Sequence, residues 1–130
     1  MTLEATVIHV IDPFSQAQPA WLGLDDAGFR RKVYKVVDER LHASEFLTSG
    51  LTIFEPGEAS SLHNHPDSEE VNFIVRGSGE VVTADGSRTP FAAHTFMYIP
   101  KGVHHQHVNT GREPLWLVFV YGPHGMLPTN

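Results

Sequence analysis

The stretch Gly57-Glu58-Ala59-Ser60-Ser61-Leu62-His63-Asn64-His65-Pro66-Asp67-Ser68-Glu69-Glu70 places two histidines at alternate positions. A short polar turn and two adjacent carboxylates follow. On an extended strand alternate residues point to one face, so His63 and His65 aim their imidazoles into the same volume. A glutamate carried back by the turn reaches that volume as well. Two neutral ring nitrogens and an anionic oxygen are a common donor set for a divalent transition metal.

Working outward, the flanking segments read as strands. Arg31–Asp38, Leu51–Glu55, Val71–Arg76, Glu80–Thr83, Thr95–Pro100 and Leu115–Tyr121 are rich in β-branched and aromatic residues. Pro56-Gly57, Gly77-Ser78-Gly79, Ala84-Asp85-Gly86-Ser87, Asn109-Thr110-Gly111 and Gly122-Pro123 punctuate them. Short strands broken at near-regular intervals predict an all-β sandwich or barrel. The first third is less regular. Asp12–Trp21 reads as a loop with Pro13 and Pro19, Asp25–Arg31 as a helical turn capped by Asp25, and Glu39–Phe46 as a second turn or a strand edge. Leu115–Tyr121 is apolar on both faces, which suits a strand covered on both sides.

The 130 residues suit one domain, and 41% hydrophobic against 18% charged residues excludes a disordered or fibrous chain. A net charge of −6 disfavours nucleic acid and anionic membranes as partners. No apolar run is long enough for a membrane helix. Met1–Thr6 has neither the basic nor the apolar region of a secretory leader, so a cytoplasmic setting is expected. Zero cysteines exclude disulfides, thiolate ligands and a cysteine nucleophile. Nine histidines are many for this length, and five of them stand at 63, 65, 104, 105 and 107.

Gly57, His63, His65, Glu70 and Gly77 stand at the spacings of the first cupin motif. Pro100, Gly102, His105 and Asn109 stand at those of the second, with His94 where that motif opens on glycine. The chain therefore resembles the cupin superfamily. The resemblance implies a jelly-roll (double-stranded β-helix) barrel, with a core over about 31–122 and an N-terminal arm over 1–30. It implies His63, His65, Glu70 and His105 as metal ligands. It also implies a homodimer that exchanges an N-terminal strand, for which Thr6–Val10 and Arg31–Val37 are the candidates.

Strand parity adds to this. His105 and His107 share a face that His104 does not, and Asn72 shares the face of Glu70, leaving Glu69 outside. Parity does not separate His107 from His105 as the ligand. Four ionisable groups buried without a counterion would be costly, and a metal removes that cost. His9, His42, His94, His104 and His124 read as surface or loop residues.

With no thiolate, Fe(II), Mn(II), Ni(II) and Zn(II) all suit the donor set. An octahedral ion held by four side chains keeps two positions for small molecules. The resemblance puts first a dioxygenase-type oxidoreductase acting on a small oxygen-containing molecule. A non-redox isomerase or lyase comes second, with His107 and Tyr98, then Tyr34 and Tyr121, as candidate bases. A module that binds a sugar or organic acid without turnover is the third reading. Arg30, Arg31 and Lys32 read as a solvated strand start, although a cation there would suit a substrate carboxylate.

Overall fold

The computed structural model describes residues 7–23 and 29–124. Their strands, in chain order, are β1 (Gln18–Leu22), β2 (Arg31–Val37), β3 (Thr48–Phe54), β4 (Glu69–Arg76), β5 (Ser78–Thr83), β6 (Arg88–Ala92), β7 (Phe96–Ile99), β8 (His105–Val108) and β9 (Leu115–Gly122). A single helical turn, α1 (Glu39–His42), is capped by the Asp38 carboxylate, which accepts from the Leu41 N–H.

All pairings are antiparallel. One sheet runs β1-β2-β3-β9-β4-β7, and a second runs β6-β5-β8. The motif segment 57–63 extends the smaller sheet through bridges Ala59 to Val108 and His63 to His105. The arrangement is a jelly roll, with the core between the sheets. Val33, Phe54, Ile74, Phe91, Leu115, Leu117, Phe119 and Tyr121 form that core. β9 sits at the middle of the larger sheet, and its odd-numbered residues from Leu115 to Tyr121 are buried while the alternate ones are half-buried.

Three readings need correction. β1 takes up the end of the stretch Asp12–Trp21 read as a loop and runs on to Leu22, and Pro19 is tolerated because β1 is an edge strand with a neighbour on one side. It also places part of the 1–30 arm within the main sheet. β6 was absent from the sequence reading; its Pro90 again sits on an edge strand. Arg31 opens β2 instead of closing a helical turn; Asp25, the expected cap, lies outside the described residues. Of the candidate exchanged strands, Arg31–Val37 is paired in this chain's own sheet between β1 and β3. Thr6 lies outside the described residues, and 7–10 form no strand.

The motif glycines share one backbone property. Gly57, Gly77 and Gly102 have φ of +86°, +86° and +80°, and His94 takes φ +68° in the place of the fourth. Histidine is among the side chains that enter this region more readily than most. A Cβ on Gly77 would lie 2.7 Å from the Pro114 carbonyl oxygen and 2.8 Å from Leu115 Cα, whereas one on Gly57 would meet nothing within 4 Å. Gly57→Ala is therefore expected to cost only the conformational penalty, about 1 kcal/mol. Gly77→Ala adds a backbone clash and is expected to cost about 3 kcal/mol. Urea unfolding of the metal-free variants checks the order; equal losses would contradict it.

Candidate metal centre

β4 alternates between the two faces of its sheet: Glu70, Asn72 and Ile74 are buried, and Glu69 and Val71 are exposed. β8 does the same, burying His105 and His107. His63 is bridged to His105 by a reciprocal backbone pair, N–H to carbonyl at 3.0 and 2.8 Å. The turn after it returns His65 over the Tyr121 ring, stacked at 4.4 Å. The ring nitrogens of His63, His65 and His105 lie within 4.8 Å of one another, a group able to hold a metal ion.

Glu70 faces two of these rings. Its Oε1 lies 3.2 Å from His65 Nε2 and 3.3 Å from His105 Nε2. Neither Glu70 Oε1 nor His105 Nε2 makes a hydrogen bond, although both are buried. Atoms that face one another at 3.3 Å without hydrogen-bond geometry leave their lone pairs for a shared centre. The far nitrogens fix the tautomers: His63 Nδ1–H donates to the Ser61 carbonyl at 2.8 Å, and His105 Nδ1–H to the Val103 carbonyl at 2.9 Å. Each Nε2 is then left unprotonated, the state in which an imidazole nitrogen can hold a metal.

The electrostatics point the same way. Burial works to raise Glu70, but the imidazoles of His105 and His65 beside its carboxylate hold it well below the ordinary carboxylate range. Burial works to lower His105, and the Glu70 carboxylate outweighs it and raises the ring. Both shifts favour positive charge in the space between them. Burial, aided by the neighbouring His105, pushes His63 down to about 4, so it is neutral at neutral pH, as a ligand must be. The donor set and these unpartnered atoms fit a divalent metal.

His107 and Asn72 carry a different task. Asn72 Nδ2 donates to Glu70 Oε2 at 2.7 Å, which turns its Oδ1 toward His107 Nε2 at 2.9 Å. His107 Nε2 must then carry the proton. Parity leaves His107 level with His105; in the structure His107 Nε2 is engaged by Asn72, whereas His105 Nε2 has no hydrogen-bond partner among the described residues. Burial pushes its pKa down to about 3. The chain His107–Asn72–Glu70 leaves Glu70 Oε1 facing the imidazoles.

A cavity of about 40 Å³ opens onto this cluster, lined by His63, His65, Glu70, His107, Tyr121 and Arg31 among others. Its far wall is apolar, with Val33, Phe54, Leu117 and Phe119. Tyr98 is a correction: it is 61% exposed on the outer face of β7, and its hydroxyl donates to Glu69 Oε1 at 2.5 Å. One residue of register separates it from the inward Ile99. Tyr34 packs on Phe14 and beneath Lys32. Arg31 is also a correction, since it is buried and not a solvated strand start. The signal was available, because Arg31 shares strand parity with the apolar Val33. His94 and His104 are exposed as expected, while His42 and His124 are half-buried.

The family model for the cupin domain matches residues 50–121, more than half of the chain. The chain belongs to the cupin family. It is 34% identical over 80 residues to a gentisate 1,2-dioxygenase of a Ralstonia species, covering 61% of this chain and 22% of that one. It is 40% identical over 74 residues to the polyketide synthase CurC of Streptomyces cyaneus, covering 57% and 47%. The chain thus spans less than half the length of either relative. The crystal structure of a predicted oxalate decarboxylase from Thermotoga maritima superposes with a TM-score of 0.76 at 18% identity, covering 89% of this cupin and all of that chain. That likeness shows the fold.

Titration of metal-free protein with Zn(II) checks the centre. His65→Ala is expected to abolish tight uptake. Asn72→Ala, which frees Glu70 to rotate, is expected to weaken it by about 10–100-fold. Tyr98→Phe is expected to leave it unchanged. Unaltered uptake by His65→Ala would contradict the ligand set.

Proposed function

We propose that this cupin is a divalent-metal-dependent enzyme of the dioxygenase type, acting on a small oxygen-containing organic molecule. His63, His65, His105 and Glu70 would hold the metal. When bound, the ion would polarise a substrate oxygen and, as iron, activate dioxygen.

The supporting observation is that, outside the four proposed metal ligands, the side chains lining the cavity include none suited to abstract a proton at neutral pH. His107 is neutral and too weakly basic, because burial pushes its pKa down to about 3. Burial pushes the Tyr121 phenol up, with help from Glu70, so it stays protonated and acts only as a hydrogen-bond donor. Tyr98 and Tyr34 do not line the cavity. Outside the ligand set, an isomerase or lyase would draw no such base from the residues that line this cavity. The apolar wall would exclude water from the reacting face. The dioxygenase relative supports the same reading.

A cytoplasmic homodimer belongs to this proposal. Phe96 and Tyr98 stand exposed with Val71 on the outer face of β4 and β7, an apolar surface of the kind subunits cover. No helix among the described residues is long and apolar enough to cross a membrane.

Oxygen consumption by Fe(II)-loaded protein, against a panel of β-diketones, catechols and short organic acids, is the test. Uptake with at least one compound, lost in His105→Ala, is expected. Proton exchange or elimination without oxygen uptake would contradict the proposal.

A further inference from the structure

Arg31 is the residue the metal centre does not use. It is 2% exposed, and among the described residues its guanidinium makes one hydrogen bond, Nη1–H to the Phe29 carbonyl at 2.9 Å. Its flanking cations are spent on the outer surface. Arg30 lies over the Trp21 ring and pairs with Glu58 at 3.4 Å, and Lys32 lies over Trp21 and Tyr34. Lys35, Arg76 and Arg88 each have a carboxylate partner as well. Among the described residues, Arg31 is thus the deeply buried cation with no carboxylate.

A buried guanidinium carries five N–H donors in a planar fork and stays charged. Donors of such a group that face a cavity and not a protein acceptor are open to a ligand. Arg31 lines the same cavity as His63, His65 and Glu70. Tyr121 adds a buried hydroxyl with no hydrogen-bond partner among the described residues.

We infer that Arg31 is the substrate anchor of this pocket and that the substrate is a small organic acid, its carboxylate held by the Arg31 fork and a neighbouring oxygen turned toward the metal. The inference deepens the proposed function and rests on it for the metal half. The charge count agrees. Three neutral imidazoles and one carboxylate around a divalent ion leave one positive charge uncompensated, and Arg31 adds a second. A carboxylate entering this pocket faces both and neutralises one of them, within a protein whose net charge is otherwise −6. The cavity of about 40 Å³ corresponds to roughly three water positions. That suits a carboxylate with an adjacent oxygen, while the wall of Val33, Phe54, Leu117 and Phe119 suits the apolar remainder.

Matched acid–amide pairs test it: glycolate with glycolamide, lactate with lactamide, and salicylate with salicylamide. Each is titrated calorimetrically into Zn(II)-loaded wild type, Arg31→Gln and Arg31→Lys, with zinc content and melting temperature measured alongside. At least one acid is expected to bind wild type about tenfold or more tighter than its amide. The preference is expected to vanish in Arg31→Gln and return in part in Arg31→Lys. Acid preference that survives in zinc-replete Arg31→Gln would overturn the anchor, as would its absence from wild type for all three pairs. Should Arg31→Gln not fold, Arg31→Lys decides, because it keeps the charge and loses the fork: undiminished preference there contradicts the inference. Failure of wild type to take up zinc would count against the metal reading instead. The same comparison on metal-free wild type and variants then decides the arginine separately.

Discussion

A carboxylate taken out of water must find protons or positive charge, and Glu70 is such a carboxylate, 4% exposed at the head of an interior strand face. Its two oxygens are treated differently. Oε2 is tied by the Asn72 amide, which is itself held by His107. Oε1 is left to two imidazoles that approach it without hydrogen-bonding it. The surrounding fold can be read as the means of bringing those imidazoles there. β8 delivers His105 and His107 from one sheet, β4 delivers Glu70 and Asn72 from the other, and the turn after His63 returns His65 between them.

This dependence explains why structural and chemical residues alternate so closely in the motif regions. Gly57, Gly77 and Gly102 supply the positive-φ turns that end one strand and start the next, and Gly77 also lets Pro114 and Leu115 approach. Asn109 is wholly structural. It donates to the Phe54 and Glu113 carbonyls and accepts from the Gly111 N–H, locking the loop between β8 and β9. None of these groups enters the cavity, yet the register of the cavity residues depends on them.

Much of this was legible because a strand has a period of two. Parity put Glu70 and Asn72 inside and Glu69 outside, and the structure shows the same alternation. The same rule, carried to Arg31 and Val33, would have drawn the arginine inward; the string of three cations obscured it, since solvent exposure is the ordinary state of such a run. Tyr98 failed because its strand was read as starting at Thr95, with no partner to fix its face; the pairing of Tyr98 with Val71 fixes it outward. β1 and β6 were hidden by prolines that only an edge strand accommodates, and edge position is a property of the sheet, not of the local sequence. The different surroundings of His105 and His107 rest on the Asn72 hydrogen bond, a contact between strands far apart in the chain.

X-ray absorption at the metal edge of the protein as purified tests the central claim most directly. The account predicts about one divalent ion per chain in a shell of nitrogen and oxygen only, with the outer scattering of several imidazoles and no sulfur. A metal-free protein that neither gains thermal stability on adding Fe(II), Mn(II), Ni(II) or Zn(II) nor shows imidazole scattering would contradict it.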